Sequence, residues 1–337
     1  MRQSIFSTAR PGRQQGFVLV VTLWVMVIVA IAAGYFAERV TRSVELAKQS
    51  RQNIRAILDM ADTRAEILYR LSTTSLTEYG LGRGNMAIGL DNRPYRGLGD
   101  TFLRLQDDRG LLNLNIAEDD RLRRLFGLLG VPPEQDDHLI DTLRDYIDAD
   151  NLHRLNGAEK EEYLALDLPP PPNRNLITPW EAKRIIGWRD TPQLWQTGRL
   201  ADLTTTQSFS LNPNTAPAEV LETLPGVSAE IAQAIIARRK LSPIVDARQF
   251  AGIASIPISL SEDMVLLWPG NSIRITQSAR GLPWAIQYNI TLTPNGSEAP
   301  WRTDYYSRVN TGRRDDALAD IPELPPRTAA APEKPPS

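Results

Sequence analysis

The chain has 337 residues, with 38 Lys and Arg against 40 Asp and Glu, two histidines and no cysteine, for a formal net charge of −2. Without cysteine there is no disulfide, no thiolate metal site and no cysteine nucleophile, and His138 and His153 are too few for a histidine-rich metal centre. The near-balanced charge excludes a general attraction to polyanions. The length suffices for two compact units beside a membrane segment.

Arg2, Arg10 and Arg13 open the chain with no acid before residue 17, and residues 17–36 are uncharged. At about 1.5 Å per helical residue this run covers the roughly 30 Å hydrocarbon core of a bilayer. The leading arginines keep the N-terminus cytoplasmic, which predicts a single-pass membrane protein with its bulk on the far side. A secretory signal peptide has a shorter apolar core with a small-residue cleavage site behind it. Here the Gly16-Phe17 junction stands in front of the core. Leader 1–16 and the span 17–36 thereby resemble a type IV prepilin, whose leader prepilin peptidase removes between Gly and Phe. That resemblance implies the bacterial inner membrane, with the bulk of the chain in the periplasm.

From Phe17 to Tyr79 there is no proline and only Gly34 among glycines. Past the span, Val40, Val44, Ala47, Ile54, Leu58, Ala61, Ala65 and Leu68 recur at alternating steps of four and three, with Arg51 at the one polar step, which predicts one buried face on a continuous helix. Such a helix, from Phe17 to about Leu71, is about 80 Å long. Val21, Val40, Val44, Ile54 and Leu58 are its expected lateral contacts with neighbouring stalks. Most pilins carry glutamate at the fifth mature position, where it neutralises a neighbour's terminal amine; counting from Phe17, this chain has Val21. A carboxylate in lipid persists only with a partner, so its absence points to a subunit with no neighbour ahead of it, at the filament tip.

Residues 37–107 complete the stalk and add short strands separated by Gly and Asn turns. The block 108–268 is predicted to be helical. Leu122, Leu125, Phe126 and Leu129 make a helical stripe that Gly130 and its prolines end, and Leu139, Leu143 and Ile147 make another. Trp180, Trp188 and Trp195 read as core. Between 269 and 316 the period changes to two, in three segments separated by Gly281-Leu282-Pro283 and Pro294-Asn295-Gly296, which predicts an antiparallel meander. Residues 317–337 are rich in Pro, Ala and Glu and are expected to be disordered. The fold class is therefore α+β: a long helix packed on an antiparallel sheet, with a large all-α domain inserted.

Two parts of the insert, 108–200 and 208–242, share an internal echo. Leu112-Asn113-Leu114-Asn115-Ile116-Ala117 and Leu211-Asn212-Pro213-Asn214-Thr215-Ala216 both lead into helices, and Asn and Thr suit helix starts. The second continues into a stretch that resembles a helix-hairpin-helix of SAM-like type, with Leu224-Pro225-Gly226-Val227 as the hairpin and Ser228 capping the next helix. Hairpin amides with Arg238, Arg239 and Lys240 suit a phosphate backbone, so a membrane-anchored, extracytoplasmic DNA-binding protein is the alternative reading. Glu219, Glu222 and Glu230 oppose it, and the preferred reading is a packing element without nucleic acid.

Asp141, Asp145, Asp148, Asp150, Asn151, Asn156, Glu159, Glu161 and Glu162 offer hard oxygen ligands at short spacing around Gly157. From these, Asp148, Asp150, Asn156, Glu159 and Glu162 are the candidate calcium ligands. The spacing is not that of an EF-hand. No nucleophile, base and orienting group converge in sequence, so no enzymatic activity is expected.

Taken in order, the leader, the stalk, the missing glutamate, Gly110 to Asn115, Asp145 to Asp150 with Gly157, Ala158, Glu159 and Tyr163, and Leu211 to Pro217 resemble the minor pseudopilin K family of type II secretion systems. The resemblance covers nearly the whole chain before the Pro-rich tail. It implies a pilin-like head with a helical insertion, minor pseudopilins I and J as partners at the pseudopilus tip, and a part in pseudopilus assembly and the export of folded proteins. It also implies calcium in the helical domain of some members. The leader is longer than is usual in that family.

Overall fold

The computed structural model describes residues 15–196, 199–257, 265–310 and 320–326. Contacts divide the chain into two units, Met1–Arg55 and Ala56–Ser337, and helix α1 (Gln15–Thr73) contributes residues to both. In the first unit α1 is the only described element, and every side chain from Phe17 to Arg55 is exposed. The most apolar eighteen residues of the helix have a mean hydropathy of 2.8, so it is long and apolar enough to cross a membrane. Leader residues 1–14 lie outside the described residues.

In the second unit, Met60, Thr63, Ile67, Leu68 and Leu71 turn inward from α1. The expected single buried face is corrected here: Leu68 belongs to it, but Leu58, Ala61 and Ala65 are exposed. With about 3.6 residues per turn, these three lie more than a quarter of a turn round the helix from the Met60–Ile67–Leu71 line. The sheet selects the inward residues, and the ladder is left on a free flank.

After α1 come a small hairpin, β1 (Leu76–Thr77) and β2 (Gly80–Leu81), then β3 (Asp91–Arg96) and β4 (Thr101–Asp107). Strands β7 (Ser272–Ala279), β8 (Trp284–Leu292) and β9 (Trp301–Asn310) join them in an antiparallel sheet of order β3-β4-β7-β8-β9. Register aligns Leu105 with Ile275 and Ile275 with Tyr288, so one face is apolar. Leu103, Leu105, Ile273, Ile275, Tyr288 and Ile290 pack there with Ile67 and Leu71. By alternation the opposite face presents Gln106, Arg274, Gln287 and Asn289, yet all four are buried.

What buries them is the insert between β4 and β7. It holds β5 (Leu112–Asn113), α2 (Asp119–Leu129), α3 (Asp136–Ile147), α4 (Lys160–Ala165), α5 (Pro192–Trp195) and α6 (Arg199–Leu203). These are followed by β6 (Thr204–Thr205), α7 (Ala218–Glu222), α8 (Ala229–Leu241) and α9 (Ala247–Ala254). Helix α2 buries all four stripe residues, Leu122, Leu125, Phe126 and Leu129, and stops at Gly130, whose φ of 81° favours glycine. Trp188 is fully buried edge-on to Phe126, with ring centroids 5.6 Å apart, and its indole N–H donates to Leu139 O. Trp180 and Trp195 are half-buried and stacked on each other. The insert thus has a core separate from that of the sheet.

The echoed motifs fold alike. Asn113 Oδ1 accepts from Asn115 N at 2.9 Å and Asn212 Oδ1 from Asn214 N at 3.0 Å. In both, the Ala N–H closes on the Asn carbonyl, Ala117 on Asn113 and Ala216 on Asn212. The same side-chain turn chemistry therefore starts both halves of the insert.

The expectation of a disordered tail is corrected in part. Residues 320–326 lie against the sheet, with Ile321 buried and a parallel bridge between Glu323 and Arg96. The rest of 317–337 is outside the described residues.

Candidate functional site

Asp145 sits in the last turn of α3, Asp148 caps that helix, and the chain returns through Gly157 to Glu159 at the start of α4. One carboxylate oxygen from each of Asp145, Asp148 and Glu159 lies within 4.8 Å of the other two. Asp145 is fully buried and Glu159 only 4% exposed. Asp145 accepts from Arg154 N at 3.0 Å, and Arg154 Nε stands 3.8 Å from its Oδ1. A side chain at 157 would overlap the Asp145 carboxylate, so glycine is required for the loop to pass.

Asp148 Oδ1 is buried with no donor, and the buried Glu159 carboxylate has as donor only the Glu162 N–H of the capping box that starts α4. Burial pushes Asp145 and Asp148 above the usual carboxylate range. Glu159 is pushed up to about 7, by burial first and then by Asp145 and Asp148. Three converging carboxylates, two of them with buried oxygens short of donors, are the donor set of a hard divalent cation. The residues present therefore fit calcium, which takes six to eight oxygen ligands at about 2.3–2.6 Å.

Of the five candidate ligands, the structure brings together Asp148 and Glu159 and adds Asp145. The others have different partners. Asp150 Oδ1 accepts from Leu152 N at 2.9 Å in an exposed turn. Asn156 Nδ2 donates to Asp141 Oδ2 at 3.2 Å, and its carbonyl accepts from His138 Nδ1 at 2.8 Å. Glu162 Oε2 accepts from Glu159 N at 2.9 Å, a helix-start contact. The signal for Asp145 lay in its spacing: it stands three residues before Asp148 on one helix face.

The hairpin between α7 and α8 has Gly226 at φ 80° and Ser228 capping α8 through Ile231 N. Val220, Leu221, Leu224, Val227, Ala232 and Ile235 are all in the insert core. Arg239 donates to Pro213 O and Ala216 O at 2.7 and 2.6 Å, and Arg238 to Ser242 O at 2.8 Å. These guanidiniums satisfy the chain's own carbonyls. Burial, then Glu219 and Glu230, raise the pKa of Glu222, so the hairpin's surroundings are acidic. That geometry suits packing and disfavours a phosphate clamp.

The junction of insert and sheet is polar. Asp107 accepts from Asn212 Nδ2, Thr215 Oγ1 and Gly270 N at 2.9–3.0 Å. Asp108 Oδ2 accepts from Ser272 Oγ at 2.8 Å and Asn289 Nδ2 at 2.7 Å. Arg274, buried beside Asp108, donates to Ala201 O and Thr204 O. The insert is thus held on the sheet by paired polar groups, with the two apolar cores on either side.

An apolar amino-terminal helix whose later turns lie on an antiparallel sheet defines a pilin-like protein, here one with a helical insertion. Gly16 and Phe17 fall in the first turn of α1, and Val21 is exposed on it. Two family models match the chain, on residues 105–197 and 211–262, and both are described as type II secretion system (T2SS), protein K. A chain in the crystal structure of the GspK-GspI-GspJ complex from the enterotoxigenic Escherichia coli type 2 secretion system has the same fold. Its TM-score is 0.52 at 16% identity, over 78% of this chain and 98% of that one. None of the curated proteins matches. Over its insert the chain is similar to type II secretion system protein K, and its fold is that of the chain in the GspK-GspI-GspJ complex.

Proposed function

We propose that this chain is a minor pseudopilin that works without catalysis at the tip of the type II secretion pseudopilus, in complex with minor pseudopilins I and J. In this role it supports pseudopilus assembly and the export of folded proteins across the outer membrane. The observation that carries the proposal is the coincidence of both protein K matches with the insert, while α1 and the sheet keep the pilin-like form. Valine at position 21 gives the helix no carboxylate for a subunit ahead of it. The similar chain was solved with GspI and GspJ, which supports I and J as partners here. The exposed flank Val40, Val44, Ile54 and Leu58 supplies apolar surface for their stalks. Prepilin peptidase cleaves between Gly16 and Phe17, and the mature chain stays in the inner membrane with its N-terminus cytoplasmic.

In the same reading Asp145, Asp148 and Glu159 hold calcium, with backbone oxygens or water completing the shell. The ion's part is structural: it replaces repulsion among three carboxylates with cross-linking between the end of α3 and the start of α4. Purifying the full-length chain from membranes that also contain minor pseudopilins I and J tests the assignment. A complex with both supports it, and a chain that elutes without either overturns it.

A further inference from the structure

Strand β3 ends the sheet, with β4 on one side only. Its outer edge is short of donors, because Pro94 has no N–H and the register slips between Asp91 and Pro94. Arg96 N remains, and it donates to Pro322 O at 2.8 Å. Glu323 forms a parallel bridge with Arg96. Ile321 is 6% exposed, and Leu324 packs on the sheet's apolar core. At the end of α1, Arg70 Nη1 donates to Pro325 O at 2.6 Å while its Nε pairs with Glu66 at 2.7 Å. The strand bridge, two apolar side chains and the Arg70 bond together seat this short peptide on β3 and α1.

We propose that the β3 edge, with Arg70 and the adjoining core, is a docking groove for an extended proline-containing peptide, and that the chain's own segment Ile321–Pro326 fills it in cis as an edge cap. The recognition chemistry is specific. One backbone donor, Arg96 N, takes a carbonyl; of two apolar side chains three residues apart, Ile321 is buried and Leu324 is half-buried against the edge of the core; and a guanidinium takes a second carbonyl. Pro322, Pro325 and Pro326 cannot donate to a further strand, so the cap ends the sheet. The tether gives the segment an effective concentration of about millimolar, which excludes competing peptides of weaker affinity.

Two measurements on the full-length protein in detergent test this. The chain has no cysteine, so Arg96→Cys with Glu323→Cys creates a single possible pair at facing positions. Mild oxidation is expected to give a monomer with an internal disulfide. Disulfide-linked dimers, or no disulfide in a chain that melts like the parent, overturn the cis cap. In the second, a labelled synthetic peptide spanning Asp320–Pro326 is titrated against the intact chain and a chain lacking residues 317–337. Binding to the truncated chain is expected to be at least about tenfold tighter than to the intact one, and to vanish when the peptide carries Asp at both apolar positions. If truncation impairs folding, Ile321→Asp/Leu324→Asp in the full chain takes its place. Equal binding to capped and uncapped chains, or binding to neither, overturns the proposal.

Discussion

Removing calcium should destabilise the insert, and replacing Glu159 with glutamine should abolish that dependence. Three carboxylate oxygens lie within 4.8 Å of one another. At an effective dielectric of about 20, each fully ionised pair at this distance repels by about 3–4 kcal/mol. A proton on Glu159, whose pKa is pushed up to about 7, relieves part of this without calcium. With an affinity of about 10⁻⁴ M, as in extracellular calcium modules, 10 mM calcium stands at about 100 times Kd and adds about 2.7 kcal/mol. For a unit of this size that is a rise of about 5–10 °C in the melting midpoint. Glu159→Gln keeps the shape, removes one charge and supplies an amide donor toward Asp148 Oδ1. It should melt above the calcium-free parent in EDTA and show little calcium response. Glu161→Gln, on the exposed side of α4, should behave as the parent in both conditions. Calorimetry of the full-length chain in EDTA and in calcium reads all three. A parent whose midpoint ignores calcium, or a Glu159→Gln variant that responds as fully as the parent, would refute the reasoning.

Arg274→Met leaves Asp108 buried without its cation and should cost about 3–5 kcal/mol, read as a lowered midpoint; the double variant with Asp108→Asn should recover a large part. Gly16→Val should leave the leader attached, because a branched side chain obstructs backbone approach in a protease cleft; N-terminal sequencing of membrane-assembled protein reads Met1 in the variant and Phe17 in the parent. Titration with duplex DNA at low and moderate salt should show no binding that depends on Arg238 or Arg239. Salt-sensitive binding abolished by Arg238→Ala/Arg239→Ala would contradict the packing assignment of the hairpin.

Much of this fold is legible in local chemistry. The stripe Leu122, Leu125, Phe126, Leu129 ends at a glycine with positive φ, so period and stop signal coincide. The two Asn-x-Asn turns are read from side chains that bond their own backbone. What escapes a sequence reading is set by partners distant in the chain. Gln106, Arg274, Gln287 and Asn289 alternate with apolar residues and look solvated, but the insert covers them. Its carbonyls and the Asp108 carboxylate accept from Gln106, Arg274 and Asn289, and Trp180 Nε1 donates to Gln287. Met60, Thr63, Ile67 and Leu71 face inward because the sheet lies there, and the rival ladder with Ala61 and Ala65 has equal periodicity. Asp148 and Glu159 were legible from a helix end and a following glycine. Asp145 stands in the same acidic run, and its burial in the last turn of α3 is what separates it from its more exposed acidic neighbours. Ile321 and Leu324 sit in a composition typical of disorder, and only the open edge of β3 gives them a place.

The most direct test of the central claim is co-purification of the full-length chain with minor pseudopilins I and J of its own secretion system, comparing the parent with Ile54→Asp/Leu58→Asp. Both side chains are exposed on the α1 flank, so the substitutions should spare the fold. The parent should co-elute with both partners, and the variant should be lost from the complex while its midpoint stays that of the parent. Partners that associate with each other while the parent chain elutes alone would contradict the account.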